Sequence, residues 1–164
     1  MMNTFWNPQK SVVLTKLCVM VFLAVSVVMV VAGPWETSWF IRRYGHSTLF
    51  LTFGNGAGTA AFAVLLTLGY LSGAALITMF ILMLMFLRNV GREEIFTRRN
   101  VWLLRRISWC CGGGALTTML VGVLYARHFL AITCAAAFMM LVVRVIKNAF
   151  EQAILMKDEL DLTV

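Results

Sequence analysis

The segment 65–87, LLTLGYLSGAALITMFILMLMFL, runs directly into 88–106, RNVGREEIFTRRNVWLLRR. The first stretch carries no charge, and its length suits a membrane crossing, since about 20 mostly apolar residues span roughly 30 Å of hydrocarbon. The second holds Arg88, Arg92, Arg98, Arg99, Arg105 and Arg106 with Glu93 and Glu94. Outward from this junction the same alternation recurs. Residues 11–32, 107–125 and 129–146 are further apolar runs, and the chain closes on KDELDLTV, with Asp158, Glu159 and Asp161. Apolar residues make up 61% of the 164, against roughly 45–50% in soluble domains. Mean hydropathy is +0.87. A soluble core cannot hide that much apolar surface, so lipid must solvate much of it.

The reading is an all-α membrane protein: a single integral domain over 1–164, built as a bundle of four transmembrane helices. The spans are placed at 11–32, 65–87, 107–125 and 129–146. Residues 33–64 form an extracytoplasmic segment, 88–106 a cytoplasmic loop and 147–164 a cytoplasmic tail. Charge sets the orientation. With four spans, Lys10, Lys16, Arg88, Arg92, Arg98, Arg99, Arg105, Arg106, Arg144, Lys147 and Lys157 fall on one side, and only Arg42, Arg43 and Arg127 on the other. The positive-inside rule then places both termini and the central loop in the cytoplasm. The net charge of +7 is read as basic flanks meeting anionic headgroups rather than as direct nucleic-acid binding.

Gly33-Pro34 ends the first helix, because proline cannot continue the hydrogen-bond ladder. The first span resembles a signal peptide in Val30-Val31-Ala32, but its length favours retention. Phe5 and Trp6 suit an inner interface, and Trp35 and Trp39 an outer aromatic belt. Leu49–Phe53 reads as a short strand or an interfacial segment, followed by a turn at Gly54-Asn55-Gly56. From Ala57 the apolar run is longer than a bilayer core, which implies an extracytoplasmic extension, a tilt or a preceding re-entrant piece, the extension being favoured. Small residues recur at helix-packing intervals: Gly69 and Gly73; Gly114, Thr118, Gly122 and Ala126; Ala131 and Ala135. In lipid, close backbone approach at such residues drives association. Packing within the bundle is the first use expected of them, and a homo-oligomer face the second.

No Asp or Glu lies inside a span, although intramembrane ionisable groups usually mark ion pathways. That argues against coupled transport. His46 and His128 lack ligand spacing, the four cysteines lie in apolar runs as free thiols, and no nucleophile or phosphate-loop motif is present. No catalytic, metal or cofactor-binding residue is therefore assigned, and the expected class is non-enzymatic. The cytoplasmic side holds more pattern. Thr97 suits the N-cap of a helix starting at Arg98, with Asn100 at the third position in an imperfect capping box. Val101, Leu104, Ile107 and Ser108 would line its inner face. The arginine-rich loop and the acidic tail have opposite charge, so they can bind each other or a protein partner. Leu162-Thr163-Val164 suits addition to an exposed sheet edge.

Ile95-Phe96, Asn100, Leu104-Arg105 and Ile107, together with Phe150, Ala153, Leu155 and Glu159-x-Asp161-Leu162-Thr163-Val164, carry a resemblance to the domain-of-unknown-function-2975 family of small four-span prokaryotic membrane proteins. Ile95 stands where that family often has proline. Its members resemble one another in being encoded beside a small helix-turn-helix regulator. The resemblance implies a membrane partner that holds such a transcription factor at the cytoplasmic face. Phe96, Arg98, Arg99, Asn100, Arg105, Glu159, Asp161, Leu162 and Val164 are the residues expected to form the dock, with Gly112–Gly114 as a hinge that transmits a membrane signal. The alternative is a small transporter, channel or immunity protein against a membrane-active peptide.

Overall fold

Proline sets the first two helix boundaries. In the computed structural model, which describes residues 8–44, 57–92, 96–125 and 127–161, helix α1 covers Pro8–Val31 and α2 covers Gly33–Tyr44. Proline is favoured in a first turn, where its missing N–H has no intrahelical partner to lose. Pro34 therefore stops α1 and also opens α2. The sequence pattern foresaw the stop but not the second helix. Ala32 joins the two, receiving a bond at its carbonyl from the N–H groups of Trp35 and Glu36, each at 3.0 Å. Trp35 and Trp39 lie one turn apart on α2, both exposed, with the Arg43 guanidinium 5.7 Å from the Trp39 ring. Exposed tryptophans on a short helix at a span end suit a membrane–water boundary.

Helix α3 covers Ala57–Val90, α4 Arg98–Leu124 and α5 Phe129–Asp161. No strand occurs among the described residues. The segments at Phe5–Trp6 and Leu49–Phe53 and the Gly54–Gly56 turn lie outside them. Four stretches are long and apolar enough to cross a membrane: Ser11–Val31, Phe62–Val90, Arg98–Leu124 and Phe129–Glu159. Few residues of α1 and α5 are fully buried by protein; each packs one half-buried stripe on its neighbour and leaves the rest of its apolar surface for lipid. The 34 residues of α3 span about 51 Å at about 1.5 Å each. α5 likewise continues as helix past residue 146, as far as Asp161.

Successive long helices are antiparallel. Phe22 of α1 stacks on Phe80 of α3, with ring centroids 6.1 Å apart. Cys111 of α4 meets Met79 of α3 at 3.6 Å, and Thr133 of α5 donates to Thr118 of α4 at 3.1 Å. Backbones adjoin in the order α1–α3–α4–α5, with α2 against α3 and the end of α1. Among the described residues α1 makes no close backbone approach to α4 or α5. α4 therefore holds the centre of the packing, and Leu82 of α3 joins Leu103 and Ile107 of α4 in the core.

The small residues divide by use. A Cβ at Gly73 would collide with Val30, so this glycine lets α1 and α3 meet. A Cβ at Gly122 would stand 3.1 Å from the Leu130 backbone nitrogen, and one at Gly112 3.0 Å from the Met140 sulfur. Gly69, Gly113 and Gly114 face open space. Ala131 and Ala135 are exposed, so the packing expected of them within the bundle does not occur; α5 turns Thr133 toward α4 instead. Helix α4 remains helical through Gly112–Gly114. It ends at Tyr125, whose N–H bonds the Val121 carbonyl at 2.9 Å, and α5 starts four residues later.

Candidate functional site

The polar groups converge where α3 ends and α4 begins. Thr97 has extended backbone angles (φ −123°, ψ 145°), and its hydroxyl accepts from the Asn100 N–H at 3.4 Å. That is the capping expected of a threonine before a helical run. In a capping box the third helical residue reaches back to the cap. Asn100 reaches across instead: its Oδ1 accepts from Asn89 Nδ2 of α3 at 2.7 Å. Asn100 is fully buried and Asn89 is 7% exposed. A buried amide away from water needs such a partner, and this bond ties together both helices flanking the 91–97 connection. Asn89 was not among the residues singled out from sequence. Its only signal there is a short polar side chain beside Arg88 at the end of an apolar run.

Below this bond the inner face of α4 is Asn100, Leu103, Leu104, Ile107 and Ser108, all buried. Leu103 is buried most deeply of the leucines there, at 2% exposure, while Val101 is only half-buried. The buried face includes Leu104, Ile107 and Ser108 as the sequence pattern predicts, while Leu103 takes the buried place expected of Val101. Spacing of three and four residues from Asn100 reaches Leu103 and Leu104 together. Ser108 Oγ donates to the Met140 carbonyl of α5 at 3.3 Å.

The tail helix closes over the start of α4. Phe150 of α5 lies between Phe96 and Phe86, with ring centroids at 5.6 and 6.2 Å. Ile154 is buried. An Arg98 guanidinium nitrogen stands 3.7 Å from an Asp158 carboxylate oxygen, with both side chains largely in solvent. Lys147 pairs with Glu151 one turn on, at 3.1 Å. Arg98, Val101, Glu151, Ile154 and Leu155 line a shallow hollow of about 380 Å³ between the two helices.

Of the residues expected to form a dock, Phe96, Arg98, Arg99, Arg105 and Glu159 are exposed at this end. Asn100 is not: complete burial makes it a strut between helices rather than a contact surface. Arg99, Arg105 and Glu159 form no ion pair among the described residues. Asp161 ends α5, its side chain outside the described set, and Leu162 and Val164 lie beyond it. Farther along, Arg106 covers the Trp102 ring at 4.1 Å and Arg144 that of Trp109 at 5.7 Å. Tryptophan faces hold a guanidinium well near a headgroup region. No three of His, Cys, Asp and Glu cluster for metal binding among the described residues, and His128 is exposed in the α4–α5 turn.

Long apolar helices joined through a small polar cluster define a multi-pass α-helical membrane protein. The chain belongs to the family described as Protein of unknown function (DUF2975), whose model matches residues 55–164. That match takes in α3, α4 and α5 with the whole candidate site, and leaves out α1 and α2. No curated protein and no solved structure matches the chain.

Proposed function

We propose that the protein is a non-enzymatic membrane anchor whose cytoplasmic end binds a cytosolic partner, a helix-turn-helix regulator encoded beside it. The observation that carries this reading is the pairing of the α4 start with the α5 tail. Phe96, Phe150, Ile154 and the Arg98–Asp158 contact hold the two segments side by side. Arg99 and Arg105 are exposed and form no ion pair among the described residues, and the same holds for Glu159 on the facing tail. Solvated charges beside an exposed aromatic ring are what a transient partner can use for steering and register. With both termini in the cytoplasm, a shift of α4 against α5 near Gly112, where Met140 packs, alters the spacing of the two segments and so the affinity for the regulator.

Capture from detergent-solubilised membranes tests this. The tagged full chain is expected to retain the neighbouring regulator, and the double variant R99E/R105E to lose most of it at low salt. Removal of residues 159–164 should also weaken capture. If the regulator is retained equally by wild type and both variants, the site is misplaced. If none is retained by wild type, the partner reading fails.

A further inference from the structure

At the opposite end of the molecule from the 91–97 connection, two hollows of about 540 and 270 Å³ open beside α2. They share Glu36, Thr37, Gly69, Ser72 and Phe129, which makes them two lobes of one cleft. Away from these residues the walls are mostly apolar, with Val25, Met29 and Leu66 in the larger lobe and Leu65 and Val121 in the smaller, beside the polar groups of Ser26 and Tyr70 in the first and Thr117 and Thr118 in the second. Gly69 has nothing within 4 Å of its Cβ position, so the wall there is left open by the absence of a side chain.

Besides the exposed Tyr70 and Trp39, two polar side chains in the lining lack a hydrogen-bond or ion-pair partner among the described residues. Thr37 is 9% exposed, and its hydroxyl has no hydrogen-bond partner among the described residues. The neighbouring hydroxyls differ: Ser26 donates to the Phe22 carbonyl at 2.8 Å, Ser72 to Gly69 at 2.9 Å and Thr118 to Gly114 at 2.9 Å. Buried polar groups are almost always paired, so an orphaned hydroxyl facing a cavity points to something that fills it. Glu36, next to it, likewise forms no ion pair among the described residues. It is exposed, and it is the one charged residue among the described residues that line either lobe.

We infer that this cleft binds an amphiphile with a primary ammonium head and a phosphate-free apolar body. The ammonium pairs with the Glu36 carboxylate and donates a second N–H to Thr37 Oγ1; the body lies along Val25, Met29 and Leu66. A primary ammonium has three donors, enough for both groups and a further hydroxyl, whereas a quaternary head has none. Among the described residues no lysine or arginine lines the cleft to neutralise a phosphate, which disfavours an ordinary phospholipid. The site stands apart from the cytoplasmic dock, and its test does not involve the regulator.

Dodecylamine titrated into the full chain in phosphatidylcholine nanodiscs, with empty nanodiscs subtracted, tests the inference. Saturable binding is expected. Glu36→Gln should weaken it about twofold to fivefold, the worth of an ion pair at an exposed carboxylate, and Thr37→Val about threefold to tenfold. Gly69→Leu should abolish it by filling the space without a packing clash. On wild type, 1-dodecanol and dodecyltrimethylammonium should bind at least about tenfold more weakly than dodecylamine, a comparison that needs no variant. Dodecanol or dodecyl phosphate binding as tightly as dodecylamine would overturn the inference, as would an unchanged affinity in a folded Glu36→Gln variant, or no saturable binding above empty nanodiscs.

Discussion

Replacing Asn89 or Asn100 by alanine should loosen the α3–α4 junction by an amount that a double-mutant cycle isolates. The bond between them is 2.7 Å long, and the two residues are 7% and 0% exposed. Water therefore cannot take the place of a lost partner. Each single variant leaves the other side chain's half of this bond unmade, which costs up to about 1–3 kcal/mol for a buried group. In the double variant neither amide remains, so its destabilisation should fall short of the sum of the two singles. Hydrogen bonds between membrane helices couple by about 0.6 kcal/mol on average and up to about 1.7. The shortfall expected here is therefore roughly threefold to twentyfold in the unfolding equilibrium. The assay is sodium dodecyl sulfate titration in mixed micelles, followed by far-ultraviolet circular dichroism, on all four proteins. Strict additivity would refute the reasoning, because it would mean that the two amides do not depend on one another.

Three further outcomes follow from packing and charge. Gly73→Leu should destabilise the protein by about 1–3 kcal/mol, the usual cost of overpacking, because Val30 occupies the space beside it; Gly69→Leu, with no atom near, should leave the same unfolding midpoint almost unchanged. Gly122→Val should cost a similar amount, since the obstacle at 3.1 Å is the backbone nitrogen of Leu130 and cannot swing aside as a side chain can. Arg98→Ala should change stability by less than about 1 kcal/mol, and the difference should shrink further in high salt, because the Arg98–Asp158 pair is exposed.

The long helices were legible because a run such as 65–87 admits only lipid as a solvent. Thr97 was legible too, since a threonine before Arg98 and a periodic apolar face can cap but has no better use inside the helix. Gly33-Pro34 was half-legible. A proline forbids the continuation of one helix and equally favours the first turn of another, and the polar stretch from Trp35 to Tyr44 has no apolar run to reveal that second helix. The Asn89–Asn100 bond was hidden for a different reason. A lone asparagine at the end of a span is as consistent with solvation as with burial, and only the antiparallel register of α3 and α4 brings the two amides together. Likewise, nothing in the sequence marks Thr37 apart from Ser26, Ser72 or Thr118. It differs by lacking a bond that they make to their own helix. The choice of Val101 over Leu103 reflects how wide an apolar helix face is, since both lie within one turn of Asn100.

Whether the arginine-rich start of α4 faces the cytosol decides if any regulator can reach it. A variant with Cys18, Cys110, Cys111 and Cys134 replaced by serine or alanine, carrying one new cysteine through Arg99→Cys or Ser38→Cys, can be treated in intact cells with a membrane-impermeant maleimide. The account predicts labelling of Ser38→Cys in intact cells, and labelling of Arg99→Cys only after the membrane is opened. Labelling of Arg99→Cys in intact cells, with Ser38→Cys protected, would place the proposed dock outside the cell and contradict the account.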